Sequence, residues 1–335
     1  MKNIINTILT KWEMNITFQE ITDRWNESHR HYHTMEHLNQ ILNDIFDIDV
    51  LTQEETEILV MSALFHDIIY NPKSRDNESS SSVFFQFACK MSKMGEKEKI
   101  VRDIILMTKE HNPKTKLEKI FCDLDLKILS YDLPHLLKYE EQVFKEFEFV
   151  NWKTYKSKRI KLIKSFIDSD FIVNKVGLTH LINIIENKTP NIAIYAGSFN
   201  PIHLGHTDII NKGEMIFDKV IIAKGRNDSK NIDEELFTKE FNKLVELYPT
   251  KEIVEYSGLL TDLLKEQEGN ITLIRGIRNG NDLEAENTLI TYMKDLFPEL
   301  KVVYLPCNKE FEHISSSAIR SLRKHGDDLV KKYLP

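Results

Sequence analysis

Apolar residues in the first half of the chain recur at three- and four-residue spacing. The stretches MEHLNQILNDIF (35–46), EETEILVMSALFHDIIY (54–70), EKEKIVRDIILMTKEH (96–111), PHLLKYEEQVFKEFEFV (134–150) and KSKRIKLIKSFI (156–167) all carry this period. It predicts helices that bury one face. Glycine and strict apolar–polar alternation are scarce up to about residue 186, so an all-α domain is expected over 1–186. ENKTPN (186–191) reads as a short polar linker with a proline stop. Beyond it the pattern changes. Short apolar runs, NIAIYA, KVIIAKG, KEIVEYS, ITLIRG and KVVYLP, alternate with helical stretches such as HTDIINKGEMIF and DLEAENTLITYMKDLF. Strand and helix in turn predict an α/β domain over 187–335, with a parallel sheet and right-handed crossovers. Ligands of such sheets bind at the carboxyl ends of the strands.

The totals agree with two domains. The 335 residues exceed one ordinary core and suit two of about 150 to 190 residues. Hydrophobic residues are 41% and charged residues 29%, the balance of a soluble globular chain. A formal charge of −7 argues against bulk binding of nucleic acid or acidic membrane. Cys89, Cys122 and Cys307 are far apart and form no CxxC pair, which suits reduced thiols. The start, MKNIINTILTKWEMN, lacks an apolar core followed by a small-residue cleavage site. No apolar run approaches the roughly 20 residues that cross a bilayer. A cytoplasmic protein with no nucleic-acid or membrane partner is therefore expected.

GSFNPIHLGH (197–206) follows the first strand of the α/β domain. Gly197 lets the backbone approach a ligand, Ser198 adds a hydroxyl and Pro201 stiffens the turn. A helix beginning near His206 offers free N–H groups and a positive dipole end, both suited to phosphate. His203 and His206 are three residues apart and can enter one phosphate pocket.

This stretch resembles the HxGH signature of the nucleotidyltransferase superfamily. LIRGIRNGNDLEAE (273–286) resembles the RGxRxxxDxExE segment of phosphopantetheine adenylyltransferases, and HISSSAIRSL (313–322) their ISSxxxR segment. FDKVIIAKGRN (217–227) matches their second strand. The resemblance spans residues 190–335 and implies a Rossmann-like nucleotidyltransferase fold. It also implies transfer of AMP from ATP, carrying Mg2+, to 4′-phosphopantetheine, with dephospho-CoA and pyrophosphate as products. In that reaction His206 stabilises the α-phosphate with His203 nearby, and Ser198 and Lys230 hold the attacking phosphate. Arg275 holds the acceptor phosphate or the triphosphate. Ser315, Ser316, Ser317 and Arg320 grip the β- and γ-phosphates, while Arg278 and Glu286 position ATP. Gly197, Phe199 and Gly276 join the substrate contacts, and Leu259 and Leu260 line the pantetheine arm. Such enzymes are homo-oligomers, typically hexamers. Two departures bear on the acceptor. SFNP with HLGH is closer to nicotinate or nicotinamide mononucleotide adenylyltransferases, and Leu283 and Ala285 stand where Phe and Tyr are usual. A mononucleotide acceptor stays open, as does a nucleotide-sensing protein without turnover.

The N-terminal half has its own constellation. His33 and His37 are four apart and would share a helical face. His66 and Asp67 adjoin in an otherwise apolar helix, where a carboxylate needs a partner such as a metal ion. Asp123 and Asp125 follow in FCDLDLKIL. Imidazole with carboxylate suits Mn, Fe, Zn, Co or Mg. The order H…HD…D resembles the HD superfamily of metal-dependent phosphohydrolases, in a branch with YHxxxH, FHDxxY, DNE, TxxH and DxDLxIL, over roughly residues 15–175. The resemblance implies His37, His66, Asp67 and Asp125 as ligands, with Asp123 the alternative to Asp125. His33 would be the proton donor to the leaving oxygen, and Asp76, Glu78 and His111 would act around the ligands. The substrate is not legible.

Overall fold

Every residue from Glu57 to Phe65 is buried in the computed structural model, which describes residues 1–89, 95–226 and 234–335. A helix apolar on all sides belongs in the middle of a bundle. This one, α4 in the order α1 (Lys2–Lys11), α2 (Phe18–Trp25), α3 (Met35–Phe46) and α4 (Gln53–Phe65), is the axis of the first unit. It packs against α3, α5 (Asn77–Ala88), α6 (Glu96–Met107) and α7 (Lys116–Asp125). The helices α8 (Leu133–Glu146), α9 (Trp152–Ile167) and α10 (Lys175–Asn187) follow. The start of α4 is fixed locally. Thr52 Oγ1 accepts the Glu55 N–H at 3.2 Å, and the Glu55 carboxylate takes the Thr52 N–H at 2.8 Å.

The chain divides into two compact units, 1–146 with 159–186 and 147–158 with 187–335. Residues 147–158, read from sequence with the helical domain, thus pack with the α/β unit. Buried Lys251 holds Glu148 at 2.6 Å and Glu214 at 2.7 Å, and Lys219 Nζ donates to the Val150 carbonyl at 2.7 Å.

The α/β unit runs β1 (Asn191–Gly197), α11 (Leu204–Glu214), β2 (Lys219–Gly225), α12 (Glu234–Leu247), β3 (Ile253–Tyr256), α13 (Leu260–Glu266), β4 (Asn270–Ile277), α14 (Gly280–Leu296), β5 (Lys301–Pro306) and α15 (Ser316–Arg323). The five strands are all parallel in the order β3-β2-β1-β4-β5. Residues of β1 alternate between two cores. Ala193 and Tyr195 join Ile209 and Val220 on one face, and Ile192, Ile194 and Ala196 join Leu273 and Ile290 on the other. Burial on both faces is why the strands read as unbroken apolar runs. The winding reverses between β1 and β4, so their carboxyl ends open the crevice where such sheets bind ligands. No helix among the described residues is long and apolar enough to cross a membrane.

Two candidate active sites

The HLGH stretch forms the floor of a cleft of about 280 Å3 at that switch point. His203 caps α11 in extended conformation, and its N–H donates to His206 Nδ1 at 3.2 Å. The two rings stack with centroids 3.6 Å apart. Because His206 Nδ1 accepts, the proton of the neutral ring is assigned to Nε2. Burial, with smaller contributions from His203 and Arg278, holds His206 well below the usual imidazole value. Burial and Arg278 hold His203 at about 4. Both rings are therefore neutral near pH 7, and His206 is a donor that carries no charge. His203 Nδ1 is buried without a hydrogen-bond partner among the described residues. Gly205 is needed beside it, since a Cβ there would stand 3.2 Å from His203 Cε1 and Nδ1.

The loop between β1 and α11 is held by its carbonyls. Arg275 donates to Ala196 at 3.0 Å, Lys224 to Ser198 at 2.7 Å, Ser316 Oγ to Pro201 at 3.0 Å, and Arg320 to Asn200. Phe199 sits in this loop at φ 45°, a left-handed conformation that costs a non-glycine residue about 1 kcal/mol or more. Its ring is fully buried, 5.1 Å from His206 and 5.4 Å from Tyr195. It packs against the His206 imidazole from the core and offers no exposed surface to a ligand. A Cβ on Gly197 would come within 3.1 Å of that ring.

His203, His206, Gly276, Arg278, Glu286, Ser315 and Ser316 line the cleft with Tyr195, Asp282 and Cys307. Arg278 grips Asp282 at 2.7 and 3.0 Å. Ser315 caps α15, its hydroxyl accepting the Ala318 N–H at 3.2 Å. Arg275 does not line the cleft; it is paired through two nitrogens with Glu286, which does, at 2.5 and 2.6 Å. Its charge is spent on Glu286 unless a ligand displaces that carboxylate. Ser317 and Arg320 are exposed at the rim and share a 3.2 Å hydrogen bond. Gly197, Ser198, Leu259 and Leu260 lie outside the cleft, with Leu259 exposed and Leu260 packed on the sheet. Lys230 falls outside the described residues. Asp282, in the first turn of α14, and Lys224, the penultimate residue of β2, were not singled out from sequence.

A family model described as cytidylyltransferase-like matches residues 194–322. The phosphopantetheine adenylyltransferase of Porphyromonas gingivalis is 41% identical over 150 residues, which is 43% of this chain and 94% of that protein. That of Tolumonas auensis is 33% identical over 139 residues, 40% of this chain and 83% of that protein. That of Buchnera aphidicola subsp. Acyrthosiphon pisum is 38% identical over 155 residues, 44% of this chain and 89% of that protein. Through its α/β unit, the chain belongs to the phosphopantetheine adenylyltransferase family. The region matched by the family model begins at Ile194 and ends at Leu322, so it takes in every wall of the cleft.

The adenylyltransferase unit follows a helical unit with a second polar centre. Here the sequence expectation needs correcting twice. His33 and His37 do not share a helical face, because α3 starts at Met35 and His33 lies in the preceding turn. His66 and Asp67 are not inside a helix but follow the end of α4 at Phe65. Both departures have tertiary causes. The buried Glu146 carboxylate takes the N–H groups of His31, Tyr32 and His33 at 2.8, 2.8 and 3.0 Å, which bends that turn around one anion. Buried Arg30 donates to the carbonyls of His33, Asp67 and Ile68 at 3.3, 2.8 and 3.3 Å, tying the two turns together.

The result brings His37, His66 and Asp67 together, with ligand atoms within 4.8 Å of one another. Asp125, the last residue of α7, lies beside the group. Its Oδ1 is 3.1 Å from His37 Nε2 and 3.5 Å from His66 Nε2, and its Oδ2 is 3.1 Å from His111 Nε2. Burial alone would raise the Asp125 carboxyl, but hydrogen bonds from His111 and His37 keep it well below the usual range. Asp123 takes no part; it is half-buried, and burial raises its carboxyl. His33 presents Nε2 3.8 Å from Asp67, while its Nδ1 donates to Glu146 at 2.8 Å. Tyr70 donates to the same carboxylate at 2.6 Å. Asp76 is exposed, at 3.5 Å from Lys109.

The donor set suits a divalent ion. His66 Nδ1 faces the Ala63 carbonyl at 3.0 Å and must carry the proton there. Its Nε2 is buried and has no hydrogen-bond partner among the described residues, and it lies 3.2 Å from Asp67 Oδ2 and 3.5 Å from Asp125 Oδ1. Burial opposes a charge on His66, yet Asp67 and Asp125 hold it well above the usual imidazole value, so this spot favours positive charge, a proton or a metal ion.

Proposed function

We propose that the α/β unit transfers AMP from ATP to 4′-phosphopantetheine. An oxygen of the acceptor phosphate attacks the α-phosphorus, the bond from that phosphorus to the bridging oxygen breaks, and pyrophosphate leaves. The observation that carries the reading is the convergence of His206, Arg278, Ser315 and Ser316 on one cleft at the β1–β4 switch point, in a unit matched by adenylyltransferases. No covalent nucleophile is needed, because positioning and charge neutralisation suffice for transfer at phosphorus. His206 donates Nε2–H to a non-bridging α-phosphate oxygen as charge accumulates there, held in line by Phe199 and the His203 N–H. Arg278 and the start of α15 hold the departing pyrophosphate. Mg2+ bound with ATP supplies charge neutralisation on the triphosphate. The test is pyrophosphate release from ATP against a panel of 4′-phosphopantetheine, nicotinate mononucleotide and nicotinamide mononucleotide. Release with the first alone supports the reading, and release with a mononucleotide alone refutes it.

We infer a second activity for the helical unit, hydrolysis of a phosphoester. The buried cluster of His37, His66 and Asp67, with Asp125 beside it and His66 Nε2 facing two carboxylates, supports it. His37, His66, Asp67 and Asp125 would hold a divalent ion, whose chemistry is to make bound water nucleophilic near neutral pH. His33, its Nδ1–H fixed by Glu146, keeps Nε2 at the edge of this group, where a leaving oxygen can take a proton. Metal content after loading with Mn2+, Zn2+ or Mg2+, followed by release of phosphate from p-nitrophenyl phosphate and dephospho-CoA, tests it. A chain that retains no metal refutes this reading and leaves the first untouched.

A further inference from the structure

Two cations meet on one aromatic ring at the carboxyl end of β2. Lys224 Nζ lies 4.8 Å from the Phe237 ring centroid, and the Arg226 guanidinium carbon lies 4.6 Å from it. Their charges are treated differently. Arg226 is paired with Glu255 at 2.5 Å and with Glu234 at 2.6 Å. Lys224 is only 2% exposed, yet among the described residues no carboxylate oxygen lies within ion-pair distance of it. Its hydrogen bond there runs to a neutral group, the Ser198 carbonyl at 2.7 Å. Burial pushes its ammonium below the ordinary lysine value, against the opposing charges of Glu240 and Glu255. A desolvated cation without a direct ion pair beside a strand end is costly to the fold, and such groups concentrate where charge is used.

The sheet order says where that use lies. Strands β2 and β4 flank β1 on opposite sides. Groups lining the described cleft come from the β1 end, α11, β4, α14 and the start of α15, and none comes from β2. Displacement at phosphorus is in line, so the attacking oxygen enters opposite the leaving pyrophosphate. With the pyrophosphate held on the Arg278 and α15 flank, the acceptor phosphate arrives from the β2 flank. Exposed Ser198 is the loop residue on that side, with Lys224 directly beneath it.

We propose that Lys224 is a positioning residue for the attacking phosphate. Its ammonium fixes the Ser198 peptide and supplies positive charge, not engaged in a direct ion pair, on the side from which the acceptor enters. The inference rests on the adenylyl-transfer reading above.

The test compares the full chain with Lys224→Met and Lys224→Arg. Calorimetry measures binding of 4′-phosphopantetheine and of pantetheine, which lacks the phosphate, and steady-state kinetics with ATP follows. The wild type should prefer the phosphorylated form. Lys224→Met should weaken that form about tenfold or more and raise its KM by a similar factor, with pantetheine affinity and the KM for ATP unchanged. Lys224→Arg should recover most of the loss. A Lys224→Met chain that binds both compounds like the wild type overturns the assignment. So does one that weakens both equally with a lowered Tm, which marks a packing role. A wild type with neither turnover nor preference for the phosphate sinks the adenylyl-transfer reading and this inference together.

Discussion

Replacing His206 isolates what a neutral imidazole does for transfer at phosphorus. The ring does two separable things. Nδ1 accepts the His203 N–H at 3.2 Å and so shapes the start of α11. Nε2–H is left for the substrate. Asparagine places an oxygen near the Nδ1 position and nothing at Nε2, whereas glutamine places an amide near Nε2. His206→Asn should therefore keep the loop and lose one preorganised donor, which is worth about 100- to 1,000-fold in kcat, or roughly 3–4 kcal/mol. His206→Gln should recover part of it. Both should leave the KM for ATP within about threefold, because the donor acts mainly as charge develops. The pH profile decides the form in which the imidazole works. With His206 held well below 6.5 and His203 at about 4, wild-type kcat should not fall as pH rises from 6 to 8. Any change should be a rise as the acceptor phosphate loses its second proton near pH 6. A continuous pyrophosphate assay at saturating substrates measures both effects. A kcat that declines with rising pH through about 6.5, and that loses this decline in His206→Asn, would show an imidazolium at work and refute the reasoning.

Gly205→Ala sets a Cβ 3.2 Å from the His203 ring, which is already stacked on His206 at 3.6 Å. It should cost about tenfold in kcat with little change in Tm, read by the same assay and by calorimetry. His203 binds its proton less tightly folded than unfolded, so its contribution to stability is complete above pH 6.5. That contribution should decline as pH falls toward 4, by about 3 kcal/mol in total. Chemical denaturation of the wild type and His203→Gln at pH 7 and pH 4.5 should show the gap. Glu146→Ala strands the N–H groups of His31, Tyr32 and His33, and should lower the stability of the helical unit by about 3 kcal/mol or more, with Glu146→Gln in between. Mn2+ should raise the Tm of the wild type, and Asp125→Asn should reduce bound metal per chain and abolish that rise. Mass spectrometry of the metal content and thermal scans check it.

The sequence made the α/β unit legible because each of its signals is local. Unbroken apolar runs such as NIAIYA mark strands buried on both faces, and HLGH stands directly after one. Strand order is not local, yet it decides which residues share the cleft. That is why Arg275 and Arg278, three residues apart, end up in different roles. Arg275 is taken up by Glu286, eleven residues on, and does not line the cleft, while Arg278 does. In the helical unit the residue types were legible and the backbone was not. A four-residue spacing reads as helix, but His33 is bent out of α3 by a carboxylate 113 residues away. Glu146 left one signal: it sits three residues after buried Val143, on the apolar stripe of α8, where a charge has to have partners. Lys224 left none, since a lysine ending a strand looks like any solvated one until the fold buries it.

The central claim is that the cleft at the β1–β4 switch point joins AMP to a pantetheine phosphate. Its most direct measurement is a single-turnover reaction with ATP labelled at the α-phosphorus, 4′-phosphopantetheine and Mg2+, with the products separated by chromatography. The account predicts label in dephospho-CoA, with unlabelled pyrophosphate in equal amount, and at least a hundredfold slower appearance of label with His206→Asn. Label that stays in ATP, or appears in dephospho-CoA as fast without the imidazole, contradicts it.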